Sequence, residues 1–186
     1  MKNASASPRN PESELRQAYN CVIECCMVAR NALDVNLTEL LDTYKQAFHA
    51  HLDGNRLATE RWAKTAQHLA RAYWHEEKVR YLEQHSADLP YLTGGNAKDY
   101  ALTDHSDTTQ DLLDSLVGHL PEETSEAHHV MQRYLARAQE HLNTLDNAGE
   151  SHELLRAERI KAAAEYGRTV ELMSLACGTQ KTKKTA

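Results

Sequence analysis

The longest uninterrupted pattern of apolar and polar positions lies between Asn55 and His85, a segment without Gly or Pro. Its length corresponds to about eight helical turns. A line of residues spaced seven apart carries Arg61, His68 and His75. Because a seven-residue step drifts by only about 20° around a helix, these residues share one face. The pattern therefore predicts one long helix. An apolar seam runs beside the polar line and contains Ala58, Trp62, Leu69, Tyr73 and Val79.

Two helices are predicted before this one. Residues 10–12 combine a capping Asn, a Pro at the first helical position and an acid in the first turn, which predicts a helix that runs to about Leu33. Asn36 and Glu39 form a capping-box pattern at the start of the second helix. The sequence Asp-Gly-Asn at 53–55 ends that helix with a left-handed Gly and supplies a new cap. We therefore expect the second and third helices to form a tight antiparallel hairpin.

The regular pattern breaks between 86 and 105, where Pro90, Gly94 and Gly95 predict a long loop. Loops of this length are uncommon in compact domains and often carry function. Beyond the loop the helical spacing of apolar residues resumes. Asp107 with Gln110 marks the start of a short helix whose apolar residues lie over 112–117, and two long helices are predicted over about 122–146 and about 151–177.

These elements predict an all-α fold, an antiparallel helical bundle of five or six helices. Short turns between successive helices make neighbours antiparallel. The composition agrees, because aromatic residues make up only 6% of the chain and few segments favour strands. We expect a single helical-bundle domain over 10–177, preceded by a disordered tail over 1–9 and followed by a basic, polar tail over 178–186.

Charge and cysteine usage narrow the function classes. The formal net charge is −6, which disfavours broad nucleic-acid binding because such binding needs Lys and Arg concentrated on one face. A small local phosphate site stays open. No stretch approaches the roughly 20 apolar residues of a membrane span, so we expect no membrane partner. Cys21, Cys25 and Cys26 crowd the first helix, unlike a disulfide framework, and we expect a soluble cytoplasmic protein.

The line of Arg61, His68 and His75 is the main candidate for a catalytic or binding site. The two His are about 10.5 Å apart along the helix axis, which is too far to chelate one ion together. One hypothesis is an anion-binding groove, in which Arg61 holds phosphate or carboxylate and His68 acts as an acid or base. The alternative is a set of half-buried polar residues along a seam between helices. The residues alone leave both readings open.

A metal site has one sequence signal. Glu126 and His129 are three residues apart on one helical face, an arrangement used in di-iron bundles. Those sites need a second such motif, and this chain has no second Glu-x-x-His sequence. We therefore expect no metal and no other cofactor. If a metal were found, Glu126 and His129 would be the first residues to test.

The segment 47–58, with the sequence AFHAHLDGNRLA, followed by Trp62 and 66–72, resembles the central hairpin of HEPN-type helical proteins. Those are small helical bundles, often dimeric, that bind nucleotides or act as metal-independent RNases. Their catalytic signature is an Arg followed, after four to six residues, by a His. Arg61 with His68 fits this signature, and so does Arg80 with His85. The resemblance covers about a quarter of the chain and implies RNA or nucleotide processing.

Three functions follow from these observations. The first is non-enzymatic: a helical bundle that self-associates and presents the 86–105 loop or a helix face to a protein partner. The second is HEPN-like binding or processing of RNA or a nucleotide, using Arg61, His68 and also His75. The third is a metal-binding bundle. Convergence of Arg61, His68 and His75 in an open cleft would favour the second function over the first.

We expect the chain to form a homodimer, because helical bundles with leftover apolar seams commonly bury them symmetrically. The first helix is the candidate surface. Its additional apolar area, beyond the main stripe, comes from Val22, Ile23, Met27 and Val28.

Overall fold

The computed structural model describes residues 10–29, 37–85, 105–118, 120–121, 125–145 and 153–181. Within these ranges the chain forms helices and short turns, without a β-strand, so the predicted all-α bundle is confirmed. The six helices are α1 (Pro11–Ala29), α2 (Leu37–Leu52), α3 (Arg56–Gln84), α4 (Ser106–Val117), α5 (Glu126–Asn143) and α6 (Glu153–Lys181).

Helix α3 is the centre of the bundle. α1 and α2 pack against α3 and against each other, and α6 packs along α3 and also contacts α4 and α5. The predicted hairpin between α2 and α3 is present: Gly54 has a φ of 67°, and the Asn55 side chain accepts a hydrogen bond from the Ala58 backbone N–H at 3.3 Å. The left-handed Gly and the new cap therefore reverse the chain as the sequence indicates.

Small residues allow close approach between the helices. Ala63 and Ala66 of α3 are fully buried, and so are Ala162 and Ala163 of α6. A Cβ added to Gly167 would lie 3.0–3.1 Å from side-chain atoms of Leu112 and Leu113 in α4. The α4–α6 contact therefore depends on a residue without a side chain at this position.

Three helix boundaries differ from the sequence predictions. α4 begins at Ser106, one residue before the predicted start signal at Asp107, and is a helix of three turns. α5 begins at Glu126, with the Ser125 side chain accepting a hydrogen bond from the His128 N–H at 3.1 Å. α6 continues through Gly178 to Lys181, since Gly in a helix costs only about 1 kcal/mol and does not by itself end it.

Several predictions concern residues that the structure does not describe. They are the tail over 1–9, the end of the first helix near Leu33, the cap at Asn36, nearly all of the 86–105 loop, and the end of the chain after Lys181. Among the helices that are described, none combines the length and the apolar character needed to cross a membrane.

Candidate functional site

The two His of the candidate site lie on the side of α3 that contacts α6. Nδ1 of His68 is 2.6 Å from a carboxylate oxygen of Glu165, and Nδ1 of His75 is 2.6 Å from a carboxylate oxygen of Glu158. The two acids are seven residues apart, as are the two His. Because α3 and α6 run antiparallel, seven steps forward along one helix meet seven steps back along the other. The result is a ladder with two His–Glu rungs.

Arg61 occupies the position of a third rung. The same register would place it opposite Leu172, which has no acceptor in its side chain. The Arg61 guanidinium instead donates to the backbone carbonyl of Leu175, at 2.7 Å, near the carboxyl end of α6. Arg61, His68 and His75 therefore share one side of α3, and each of them has its own partner on α6.

Glu158 is the most deeply buried member of the ladder, with a side chain only 4% exposed. Burial by itself raises the pKa of this carboxyl group. Hydrogen bonds from His75 and Lys161, together with the charge of Lys78, outweigh burial and lower the pKa to about 2. The carboxylate is therefore ionised over the whole physiological pH range. Its burial is compensated by cations from both helices.

Glu158 and Glu165 were not among the residues predicted for the site. The signal for them was nevertheless present in the sequence. Their seven-residue spacing on α6 matches that of His68 and His75 on α3. Which helix lies opposite the His line depends on the tertiary arrangement, which a single helix pattern does not indicate.

A second polar cluster lies in the interior of the bundle. Tyr73, Tyr134 and Tyr166 are 0–1% exposed. The ring centroid of Tyr166 lies 6.2 Å from that of Tyr73 and 5.8 Å from that of Tyr134. The Tyr134 hydroxyl donates to Glu39 at 3.0 Å, and the Tyr166 hydroxyl donates to Glu76. Burial raises the pKa of all three phenols, so these hydroxyls are neutral and act as hydrogen-bond donors. The cluster joins four helices and has a structural role.

The Glu39 carboxylate contacts two other helices. The sequence indicates a capping-box acid at the start of α2. In the structure its carboxylate accepts from the hydroxyls of Tyr134 and Tyr73 and pairs with Arg133 of α5. This carboxylate therefore connects α2 to α3 and α5, rather than serving its own helix end alone.

A cavity of about 180 Å³ lies between α3, α5 and the start of α6. Its charged lining is balanced, with three guanidinium groups and three carboxylates. Arg159 is paired with Glu83 at 2.5 Å, and burial lowers the pKa of His141, so this imidazole is neutral. A cavity with equal numbers of both charges has no net attraction for an anion. It is lined by Glu76, Val79, Arg80, Glu83, Arg137, Glu140, His141, Thr144 and Arg159.

Glu126 and His129, the residues named for a possible metal, lie at the start of α5. Glu126 and His129 are both exposed in the first turn of α5, while the buried neighbour His128 lies 2.9 Å from the Pro121 carbonyl oxygen. Over the described ranges, no three His, Cys, Asp or Glu side chains are arranged to hold an ion.

Cys25 is a free, buried thiol whose pKa is raised to about 12 by burial, which makes it unreactive.

The most distinctive surface feature is apolar. Six large apolar side chains on α1 and α2 are 41–69% exposed, and we call this the outer face. The rings of Tyr19 and Tyr44 lie 6.1 Å apart and bring the two helices into contact. Of the residues predicted for a dimer surface, Ile23 and Met27 belong to this face and Val22 is buried in the core. The side chain of Val28 is outside the described residues. The outer face consists of Tyr19, Ile23, Met27, Leu41, Phe48 and Leu52.

Comparisons of this chain with models of known protein families, with curated proteins and with solved structures give no match.

Proposed function

We propose that this protein is a non-enzymatic helical bundle that acts through protein–protein contacts and self-associates through the outer face. One observation carries the proposal: large apolar side chains on two adjacent helices point away from the core. Single exposed apolar residues are normal on a protein surface. A contiguous group of them is typical of an interaction site.

The size of the outer face sets the expected affinity. Two helices of about four turns, side by side, present an area of about 24 by 20 Å, or roughly 500 Å² per copy. A symmetric dimer would therefore bury about 1,000 Å² in total, at the lower end for specific interfaces. We accordingly expect a dissociation constant in the micromolar range rather than an obligate dimer.

Charged substitutions on the outer face test this proposal. Met27→Glu in α1 and Leu52→Glu in α2 place a carboxylate where the second copy would bury it, at side chains that are 69% and 65% exposed in the single chain. We expect each variant to fold normally and to remain monomeric. The matched control is Val117→Glu in α4, which changes a side chain that is equally exposed, at 63%, but lies outside the outer face.

Sedimentation velocity separates the outcomes. The proposal predicts that the control variant dimerises like the wild-type protein, while the two outer-face variants do not. If all three variants behaved alike, the outer face would have no role in association. Circular dichroism spectra of each variant establish that the helices are intact.

A second candidate function is RNA or nucleotide processing at Arg61 and His68. The observation that favours it is the Glu165 carboxylate 2.6 Å from Nδ1 of His68, because a carboxylate in this position orients the imidazole of a general base. It takes second place because the Arg61 guanidinium is bound to the Leu175 carbonyl, and because neither residue lines the cavity. RNA cleavage by the wild-type protein at low salt, abolished by His68→Ala in a folded variant, would support it. Absence of RNA and nucleotide binding would exclude it.

A further inference from the structure

Three outer-face residues on α2, together with Lys45 beside them, form a line whose spacing is the same in both directions. Leu41, Lys45, Phe48 and Leu52 on α2 are separated by four, three and four residues. At 100° per residue, these side chains fall within about 60° of one another around the helix. Alternating steps of three and four are the pattern of a coiled-coil seam.

We infer that two copies of the chain pair through α2 in an antiparallel arrangement, about a two-fold axis that passes between positions 46 and 47. This inference rests on the proposed self-association. In this register Leu41 of each copy meets Leu52 of the other, and Lys45 meets Phe48. The four seam positions are then all in contact with a partner. A two-fold axis at this position makes the interface self-complementary.

Charge distinguishes the antiparallel pairing from a parallel one. In a parallel pair each position meets itself, so the two Lys45 ammonium groups would lie together in the centre of an apolar seam. In the antiparallel pair each ammonium group instead lies over the Phe48 ring of the second copy, where a cation–π interaction is favourable. Lys45 currently pairs with Asp42 at 2.8 Å, but both side chains are more than half exposed. Such a pair is weak and competes little with the new contact.

The flanks of the seam fit the same arrangement. Asp42 and His49 lie on the same side of this seam. In an antiparallel pair, the residues on one side of the seam in one copy face the residues on the same side in the other copy. Asp42 of each copy therefore comes close to His49 of the other, which places opposite charges together when the imidazole is protonated. Tyr44 on the other flank contacts Tyr19 of α1. The α1 helices of both copies thus lie on the same side of the seam, where Ile23 and Met27 extend the apolar contact.

The register is tested by two opposite charges at one position. In the antiparallel pair, Phe48→Lys places a second cation beside Lys45 of the other copy, whereas Phe48→Glu places an anion there. We expect Phe48→Lys to weaken dimerisation at least about tenfold more than Phe48→Glu does. The double variant Lys45→Glu with Phe48→Lys places a carboxylate at position 45 opposite the new ammonium group at position 48. It should therefore dimerise more tightly than Phe48→Lys alone. Phe48 is 44% exposed in the single chain, so folding should tolerate all three variants.

The readout is the dissociation constant from sedimentation equilibrium, at low salt and again at high salt. The expected difference between the two single variants should shrink at high salt, because it is electrostatic. If the wild-type protein dimerises but Phe48→Lys and Phe48→Glu weaken it equally, the antiparallel register is wrong while the proposed function stands. If the wild-type protein is monomeric throughout, the proposed function itself fails and the register falls with it.

Discussion

His75 on α3 and Glu158 on α6 form a contact of 2.6 Å in which both side chains are largely withdrawn from water, at 18% and 4% exposure. Lys161 supplies a further hydrogen bond to the same carboxylate at 2.9 Å. The pair therefore connects the two longest helices near the amino end of α6. Its chemistry resembles that of a catalytic dyad, but its environment is that of a polar contact inside a helix–helix seam.

Removing the Glu158 carboxylate should destabilise the fold. We expect Glu158→Ala to lower the free energy of unfolding by about 2 kcal/mol, because the largely buried His75 and the partly exposed Lys161 lose their acceptor. The control is Glu171→Ala on the same helix, whose carboxylate is 38% exposed and pairs with Arg168 three residues earlier. Exposed pairs of this kind contribute well under about 1 kcal/mol. Urea denaturation of the three proteins measures the difference, and an equal loss in both variants would contradict the assignment.

The stability difference between wild-type protein and Glu158→Ala should depend on pH. The folded-state pKa of Glu158 is about 2, below the ordinary value of 4.5. A lowered pKa means that the ionised group stabilises the fold above about pH 4.5, and that this contribution is lost as the pH falls toward 2. The gap between the two proteins should therefore be constant from neutral pH to about 5 and then narrow. A gap that stays unchanged down to pH 2.5 would show that the carboxylate charge has no part in it.

The tyrosine cluster gives a second stability test. Tyr134→Phe removes the hydroxyl that donates to Glu39 at 3.0 Å and keeps the ring that packs on Tyr166. We expect a loss of about 1 kcal/mol, the usual value for one hydrogen bond. Tyr81→Phe is the control, since Tyr81 is 50% exposed on α3, where its ring stacks on His85. Thermal unfolding of both variants distinguishes them, and a more stable Tyr134→Phe protein would contradict the role given to the hydroxyl.

The α2–α3 hairpin depends on one glycine. Gly54 has a φ of 67° and open space where a Cβ would be, so Gly54→Ala adds backbone strain without a clash. We expect it to destabilise the protein by about 1 kcal/mol. Gly178→Ala is the matched control, because Gly178 is helical and also has open space around its Cβ position. There the same change should stabilise by up to about 1 kcal/mol. Equal effects at both positions, measured by urea denaturation, would be inconsistent with a left-handed requirement at Gly54.

The sequence predicts the helices well because the signals for them are local. The cap at Asn55, the left-handed Gly54 and the unbroken spacing through α3 need no knowledge of the rest of the chain. The start of α4 also has a local signal, since Asp107 with Gln110 lies within one residue of the observed start at Ser106.

The candidate site could be predicted only in part. The spacing of His68 and His75 puts them on one side of α3, as the structure shows, but their partners lie about 80 to 100 residues further along the chain. A pattern within one helix does not indicate which helix packs beside it. The outer face was foreseen on α1 through Ile23 and Met27. On α2 the helical spacing predicts an inward stripe of Leu37, Leu41, Tyr44, Phe48 and Leu52. That prediction is wrong for Leu41, Phe48 and Leu52, which are exposed in the structure.

The most direct test of the proposed function is the mass of the wild-type protein in solution as a function of concentration. Sedimentation equilibrium from about 1 to about 200 µM covers the range in which an interface of this size should associate. The account predicts that the mass rises from 21.0 kDa toward twice that value, and that Leu52→Glu abolishes the rise. A wild-type protein that stays at 21.0 kDa at the highest concentration would contradict it.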